Sequence, residues 1–195
     1  MVVDELNTRG YSVVAVGNES SWSRELKDVI DYSGSKYRTQ LRDVSTGAIS
    51  SLYAGSEADP SILPKLFRIP QLIANNQRSV ELSTSSQLQL HLFKEHMVSG
   101  RVLTHSEIWR QGLAEFEHDG DLDSSVLLNE NSLEEICDVL IDLLQIMESS
   151  KRQAQLRLKA SQRQFWSTFG NGLELYPMLA RNHGELRALI SPSFL

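Results

Sequence analysis

Three short apolar runs of this chain each end in small or polar residues of the kind that contacts phosphate and sugar groups. The runs are residues 11–16, 49–54 and 71–74. The pairs that follow them directly are Gly17-Asn18, Gly55-Ser56 and Asn75-Asn76. Glycine lets a ligand approach the backbone closely, and hydroxyl and amide groups hydrogen-bond to phosphate and sugar oxygens. This pattern therefore predicts binding of a nucleotide-like ligand, and says little about catalysis.

The sequence lacks the motifs of three common enzyme classes. It has no Walker A lysine, no GxGxxG fingerprint and no GxSxG nucleophile elbow. No histidine has a paired spacing with a carboxylate on an evident helix face, so we expect solvated or structural roles for all five. They are His91, His96, His105, His118 and His183. The sequence leaves the catalytic residues unassigned, and we predict no cofactor.

Four acidic residues partly match a calcium-binding loop. Asp119, Asp121, Asp123 and Glu130 occupy the first, third, fifth and twelfth positions of the EF-hand template. Ser124, however, replaces the glycine that the sharp turn of this loop requires. We expect an acidic loop here and no metal site.

Helical segments alternate with the apolar runs, and this alternation predicts an α/β fold. Residues 23–30, 38–44 and 58–68 are predicted helices, and Pro60 lies in the first turn of the last one, where proline is tolerated. Strands joined by helical connections are expected to be parallel neighbours. We therefore predict a Rossmann-like, doubly wound parallel sheet that presents the three strand ends at one edge.

The rest of the chain is predicted to be mostly helical. Residues 79–86 are polar and loop-like, residues 88–92 alternate like an edge strand, and residues 125–128 are a possible fourth strand. The spacing of Thr104 and Glu107 predicts a capping box. Amphipathic spacing predicts the strongest helix over 133–147, and a basic helix over 151–169. Residues 1–150 would form a Rossmann-like half-domain, and residues 151–195 a C-terminal helical extension packed on it.

The start of the chain has the pattern of a helix that is about to end. Residues 2–9 precede Gly10, which fits the left-handed position that closes a helix. Because this helix end comes before the first strand, the pattern suggests that an earlier portion of the protein is missing or encoded elsewhere.

Composition narrows the range of partners. The chain has 195 residues, 41% of them hydrophobic, and a formal net charge of -6, which fits a globular core and argues against a nucleic acid partner. No apolar run approaches the roughly 20 residues of a membrane span, and no signal pattern is present. The single cysteine, Cys137, fits a reducing compartment. We expect a cytoplasmic protein with no membrane span.

Several short motifs resemble those of bacterial glycosyltransferase-like proteins associated with surface polysaccharide biosynthesis. They are a DYxxS element at 31–35, the loop after Gly55, a helix with Phe67 that ends at Pro70, an RxLxxxEI element at 101–108, the pair Phe165-Trp166, and the closing segment 190–195. The resemblance covers nearly the whole chain. It implies the C-terminal half of a GT-B glycosyltransferase, the half that holds the nucleotide part of an activated sugar.

The resemblance also implies a donor site. Its residues would be Gly17, Asn18, Asp31, Ser35, Gly55, Ser56 and Asp59. One departure affects this site, since Ala58-Asp59 stands where the family usually has a Ser-Gly pair. The change removes backbone freedom and adds a negative charge beside the donor phosphates.

Two functions from different classes follow from these observations. The first is a glycosyltransferase-related protein that binds a nucleotide sugar and is completed by an N-terminal half-domain, where the resemblance places the catalytic base. The second is a degenerate, non-catalytic module that associates with other proteins or with itself through a former domain face. A free-standing flavodoxin-like domain is a third alternative, but no motif supports it.

Overall fold

The described part of the chain contains five helices and nine strands. The computed structural model describes residues 2–17, 27–56, 59–76, 88–113, 123–148 and 188–190. The helices are α1 (Val2–Thr8), α2 (Gln40–Ile49), α3 (Asp59–Leu66), α4 (His105–Arg110) and α5 (Leu133–Glu148). The strands are β1 (Val13–Ala15), β2 (Val29–Asp31), β3 (Tyr53–Gly55), β4 (Gln71–Asn76), β5 (Gln89–Phe93), β6 (Glu95–Val98), β7 (Arg101–Val102), β8 (Val126–Asn129) and β9 (Ala188–Ile190).

The strands form three small sheets. Strands β1 and β2 pair in parallel, and β3, β4, β5 and β9 form a parallel sheet in that order. Strand β6 pairs antiparallel with both β7 and β8. The chain is thus a mixed α/β protein with parallel sheets, as the sequence predicts. The possible strand at 125–128 is confirmed as β8, although it belongs to the antiparallel sheet.

The first strand has a different partner from the predicted one. The predicted adjacency of three strands holds for β3 and β4, but β1 pairs with β2. Strand β2 lies at the end of the region 23–30, for which a helix is predicted. That prediction is wrong here because Asp28 has a φ of 63°, outside the helical range, and the β-branched Val29 and Ile30 favour a strand.

Strand β5 lies inside the main sheet, although the alternation over 88–92 predicts an edge strand. All five of its residues are buried between β4 and β9. Its polar side chains hydrogen-bond to side chains of the neighbouring strand β4. Gln89 Nε2 donates to Gln71 Oε1 at 3.0 Å, and His91 Nδ1 lies 2.8 Å from Asn76 Nδ2. Because hydrogen-bonded polar groups are tolerated in a core, the polar face of this strand need not face water.

The segment predicted as a helical extension contributes one strand to the main sheet. Residues Ala188–Ile190 form β9, which pairs in parallel with β5. Within the segment 151–195, for which a helical extension is predicted, the described residues 188–190 form this strand. The basic helix predicted over 151–169 lies outside the described residues.

The helix ends follow the local signals in the sequence. In α4, Glu107 N donates to the Thr104 side chain and the Glu107 carboxylate accepts from Thr104 N, so the predicted capping box is confirmed. Helix α1 ends just before Gly10, whose φ of 84° is the predicted left-handed conformation. Pro60 lies in the first turn of α3, as predicted. Helix α5 covers the whole predicted segment 133–147.

The main core lies between the four-stranded sheet and α5. Its buried members are Leu72, Leu90, Leu92, Val139, Leu140, Leu143 and Leu144. Helix α1 packs against this core, and Arg9 Nη1 lies 3.1 Å from Glu148 Oε2 at the end of α5. On the other face of the sheet, Gln71 Nε2 donates to Ser61 O of α3 at 3.0 Å. Strand β4, which ends at the predicted site, therefore has contacts on both faces.

Candidate functional site

The segments after β1 and β3 meet at one rim of the molecule. Gly17 has a φ of 109°, and a Cβ atom built on it would lie 3.6 Å from Pro60 Cγ in the first turn of α3. Strands β3 and β4 are parallel, so Gly55 and Asn75 lie toward the same edge. The structure thus brings Gly17 and the first turn of α3 together even though β1 and β3 are in different sheets.

The loop between β2 and α2 is built from its own polar side chains. Asp31 Oδ1 accepts from Ser33 Oγ at 2.8 Å and from Gly34 N at 3.2 Å. Ser35 Oγ accepts from Tyr37 N at 3.1 Å. Asp31 and Ser35, which the resemblance implies as donor-binding residues, therefore both order this loop.

Arg38 connects that loop to the end of β1. Its Nη1 atom donates to Gly17 O at 2.6 Å, and its Nε atom lies 3.6 Å from Asp43 Oδ1. Tyr32 donates to the same Asp43 oxygen at 2.8 Å, and burial, followed by this bond, raises the pKa of Tyr32. Arg38 thus links the end of β1 to the loop that follows β2. The sequence alone gave no indication of this role.

Two cations lie near the ring of the exposed Tyr37, next to Arg38 in the sequence. Lys36 Nζ lies 5.0 Å and Arg42 Cζ 5.5 Å from the centre of the Tyr37 ring, within the range of cation–π attraction. Arg42 Nη1 also donates to Tyr37 O at 3.0 Å, and the Tyr37 side chain is 58% exposed. Lys36, Tyr37 and Arg42 are called the basic–aromatic patch below. The only signal for it in the sequence is the closeness of two cations to a tyrosine.

The turn after β3 is filled by the protein itself. A Cβ atom on Gly55 would lie 2.7 Å from the hydroxyl of Tyr53, and this hydroxyl donates to Ser56 O at 3.2 Å. Burial raises the pKa of Tyr53, so the hydroxyl stays protonated as a donor. Gly55 therefore makes room for a tyrosine of its own chain. Asp59 is the first residue of α3, and the predicted donor residue Asn18 lies outside the described residues.

The end of β4 is closed by a pair of asparagines. Asn75 N donates to Asn131 Oδ1 at 2.7 Å, and Asn131 N donates to Asn75 Oδ1 at 2.6 Å. Asn131 Nδ2 also donates to Phe93 O at 2.7 Å. These bonds fix β4 and β5 to the segment that enters α5. Asn75, which is predicted as a third ligand-facing end, thus helps to order the end of β4.

Behind the rim, the sheet buries a row of polar groups that sequence analysis did not find. His91 is completely buried, and burial followed by the charge of Lys65 lowers its pKa to about 3. Within the described residues, His91 Nε2, Gln89 Oε1 and Ser61 Oγ are buried without a hydrogen-bond partner. His105 and His96 are also buried. These three histidines thus fit the predicted structural role, while His118 and His183 lie outside the described residues.

The partial calcium template gains no support from the described residues. Asp123 Oδ1 accepts from Ser125 N at 2.8 Å, and Glu130 Oε1 lies 3.8 Å from Lys94 Nζ. Asp119 and Asp121 lie outside the described residues. In the part of the chain that the structure describes, no group of three or more acidic, histidine or cysteine side chains is arranged to hold a metal ion.

Comparison of the chain with protein-family models, curated proteins and solved structures gives no significant match. The glycosyltransferase resemblance therefore stays a prediction that depends on the short motifs alone. Among the described helices, none combines the length and the apolar character needed to cross a bilayer.

Proposed function

We propose that the chain is a glycosyltransferase-related protein that binds a nucleotide-activated sugar in the cytoplasm. In this proposal it has a Rossmann-like arrangement and forms the donor-binding half of a GT-B enzyme of surface carbohydrate biosynthesis, with a second half-domain supplying the catalytic base. The observation that carries the proposal is the meeting of Gly17, the first turn of α3 and Arg38 at the carboxyl ends of parallel strands. This is where ligands bind in open α/β sheets.

The electrostatics of the rim also support an anionic ligand. Although the whole chain has a net charge of -6, the β2–α2 loop and the start of α2 carry Lys36, Arg38 and Arg42. Helix α2 begins after Thr39, so its amino-terminal dipole points at the same loop. A diphosphate sugar combines negative charge with a flat base and hydroxyl groups, which cations, an exposed tyrosine and polar loop groups can bind.

Replacement of Arg38 by alanine tests the proposed function. We expect one of the uridine, guanosine, cytidine or adenosine diphosphate sugars to stabilise the wild-type chain in a thermal-shift assay, by about 2.7 kcal/mol at a hundredfold excess over Kd. R38A should weaken this binding by about tenfold, because it releases Gly17 from the β2–α2 loop.

Arg110→Ala is the matched control for R38A, since Arg110 is an exposed arginine on α4. It should bind the ligand like the wild type. Absence of stabilisation by all four nucleotide sugars in the wild-type protein would reject the proposed donor site.

A second function is favoured by the apolar surface of α2 and α3. Leu41, Ile49, Ile62 and Leu66 are between 51% and 83% exposed, which is unusual for large apolar side chains on neighbouring helices. A non-catalytic module that associates through this surface would expose such residues in the free chain. Light scattering distinguishes the two functions, because a monomer that binds a nucleotide sugar excludes self-association as the main role.

A further inference from the structure

The two sides of the rim offer a phosphate group different surroundings. On the β3–α3 side, the space at Gly55 is filled by the Tyr53 hydroxyl. On the β2–α2 side, Lys36 and Arg42 flank an exposed tyrosine. Because phosphate groups bind to cations, and the turn after β3 is filled by a tyrosine, the β2–α2 side is the better place for them.

The cations of the basic–aromatic patch have no acidic partner among the described residues. Asp43, the nearest acid along α2, is occupied by Arg38 and Tyr32. The Asp31 carboxylate accepts hydrogen bonds from Ser33 Oγ and from Gly34 N. Neither Lys36 nor Arg42 forms an ion pair in this part of the structure, so their charge is available to a ligand.

We propose that Lys36, Tyr37 and Arg42 bind the phosphate groups of the ligand. Lysine supplies a mobile point charge, and arginine supplies a planar fork of N–H donors that matches phosphate oxygens. Both cations lie within 5.5 Å of the centre of the Tyr37 ring, so two positive charges without an ion-pair partner lie beside one exposed side chain. The inference depends on the proposed function only for the identity of the ligand, a nucleoside diphosphate sugar; the site itself follows from the arrangement of charges.

The test is an NMR titration of the full chain with inorganic pyrophosphate and, separately, with a nucleoside diphosphate sugar that stabilises it. We expect the backbone amide signals of residues 35–42 to shift with both ligands. The double variant K36A/R42A should weaken pyrophosphate binding by about tenfold or more, while R110A leaves it unchanged. R42K, which keeps the charge, should retain part of the affinity. Ionic strength is matched throughout, because exposed charges attract anions weakly.

The outcomes separate the two proposals. Shifts confined to residues around Gly17 and α3, with K36A/R42A binding like the wild type, would overturn the patch and leave the nucleotide-sugar function intact. Binding of pyrophosphate at the patch without binding of any nucleotide sugar would reject the proposed function and support the patch as a phosphate site. Absence of shifts with either ligand would overturn the patch.

Discussion

Acidification from about pH 7.5 to about pH 5 is expected to lower the free energy of unfolding by about 4 kcal/mol, because two histidines are buried in their neutral form. Burial, followed by the charge of Lys65, lowers the pKa of His91 to about 3. Burial, followed by the charge of His96, lowers the pKa of His105 to about 4. Since a domain is typically stable by about 5–15 kcal/mol, this loss would be severe.

The free energy of unfolding falls on acidification because the unfolded state binds protons at a higher pH than the folded state. Histidine in the unfolded chain has a pKa of about 6.5, so the unfolded state is protonated while the folded state is not. Stability is therefore complete above about pH 6.5 and falls by about 1.4 kcal/mol per pH unit for each histidine, down to its folded pKa. The pKa of His96 is lowered as well, which adds to the effect. Glu107, whose pKa is lowered to about 2 chiefly by Arg101, loses its contribution only at lower pH.

Urea unfolding at several pH values between about 7.5 and 5 measures this loss, and His91→Asn identifies its source. The asparagine keeps a polar group beside Asn76 but does not titrate. We expect H91N to be less stable than the wild type near neutral pH, and to lose only about half as much stability on acidification. Equal pH dependence in the two proteins would show that His91 is not a neutral buried group.

Much of the fold was predictable where the signal is local. Gly10 at the end of α1, the Thr104 capping box and the apolar spacing of α5 each determine a structure through neighbouring residues, and each prediction is confirmed. Strand β2 was not predictable in this way. Three residues are too short for a periodic pattern, and the turn at Asp28 that precedes it needs a conformation that aspartate adopts only sometimes.

The position of β5 in the sheet depends on contacts between distant residues. Gln89 and His91 suggest a solvent-facing side when the strand is considered alone. Their burial is possible because Gln71 and Asn76 lie opposite them on β4. Alternating polarity therefore shows that two faces differ, but it does not show which face meets water.

The candidate site was predictable in location but not in composition. The glycine after an apolar run correctly marks the end of β1, and Gly17 is at the rim. The roles of Arg38 and Tyr53 depend on side chains that reach another turn, Arg38 across to Gly17 and Tyr53 forward to Ser56. No spacing rule describes such contacts, so the sequence could not show that Gly55 accommodates a tyrosine.

Replacement of Asn131 by alanine is expected to destabilise the protein by about 3 kcal/mol, because Asn75 N loses its acceptor and Phe93 O loses the buried donor that Asn131 supplies. Asn131 is 8% exposed, accepts from Asn75 N and donates to Phe93 O. Asn75 has a φ of 54°, which asparagine tolerates better than most residues, so the pair also holds an unusual backbone conformation at the end of β4.

Two further variants show whether these bonds are responsible. Asn131→Asp keeps an acceptor for Asn75 N but places a buried carboxylate oxygen against Phe93 O, so it should be at least as destabilising as N131A at neutral pH. Asn129→Ala changes an exposed asparagine at the end of β8 and should cost no more than about 0.5 kcal/mol. Urea unfolding at neutral pH measures all three. If N131A were as stable as N129A, the asparagine pair could not be what fixes the end of β4, and the Asn75 side of the rim would be free to move toward a ligand.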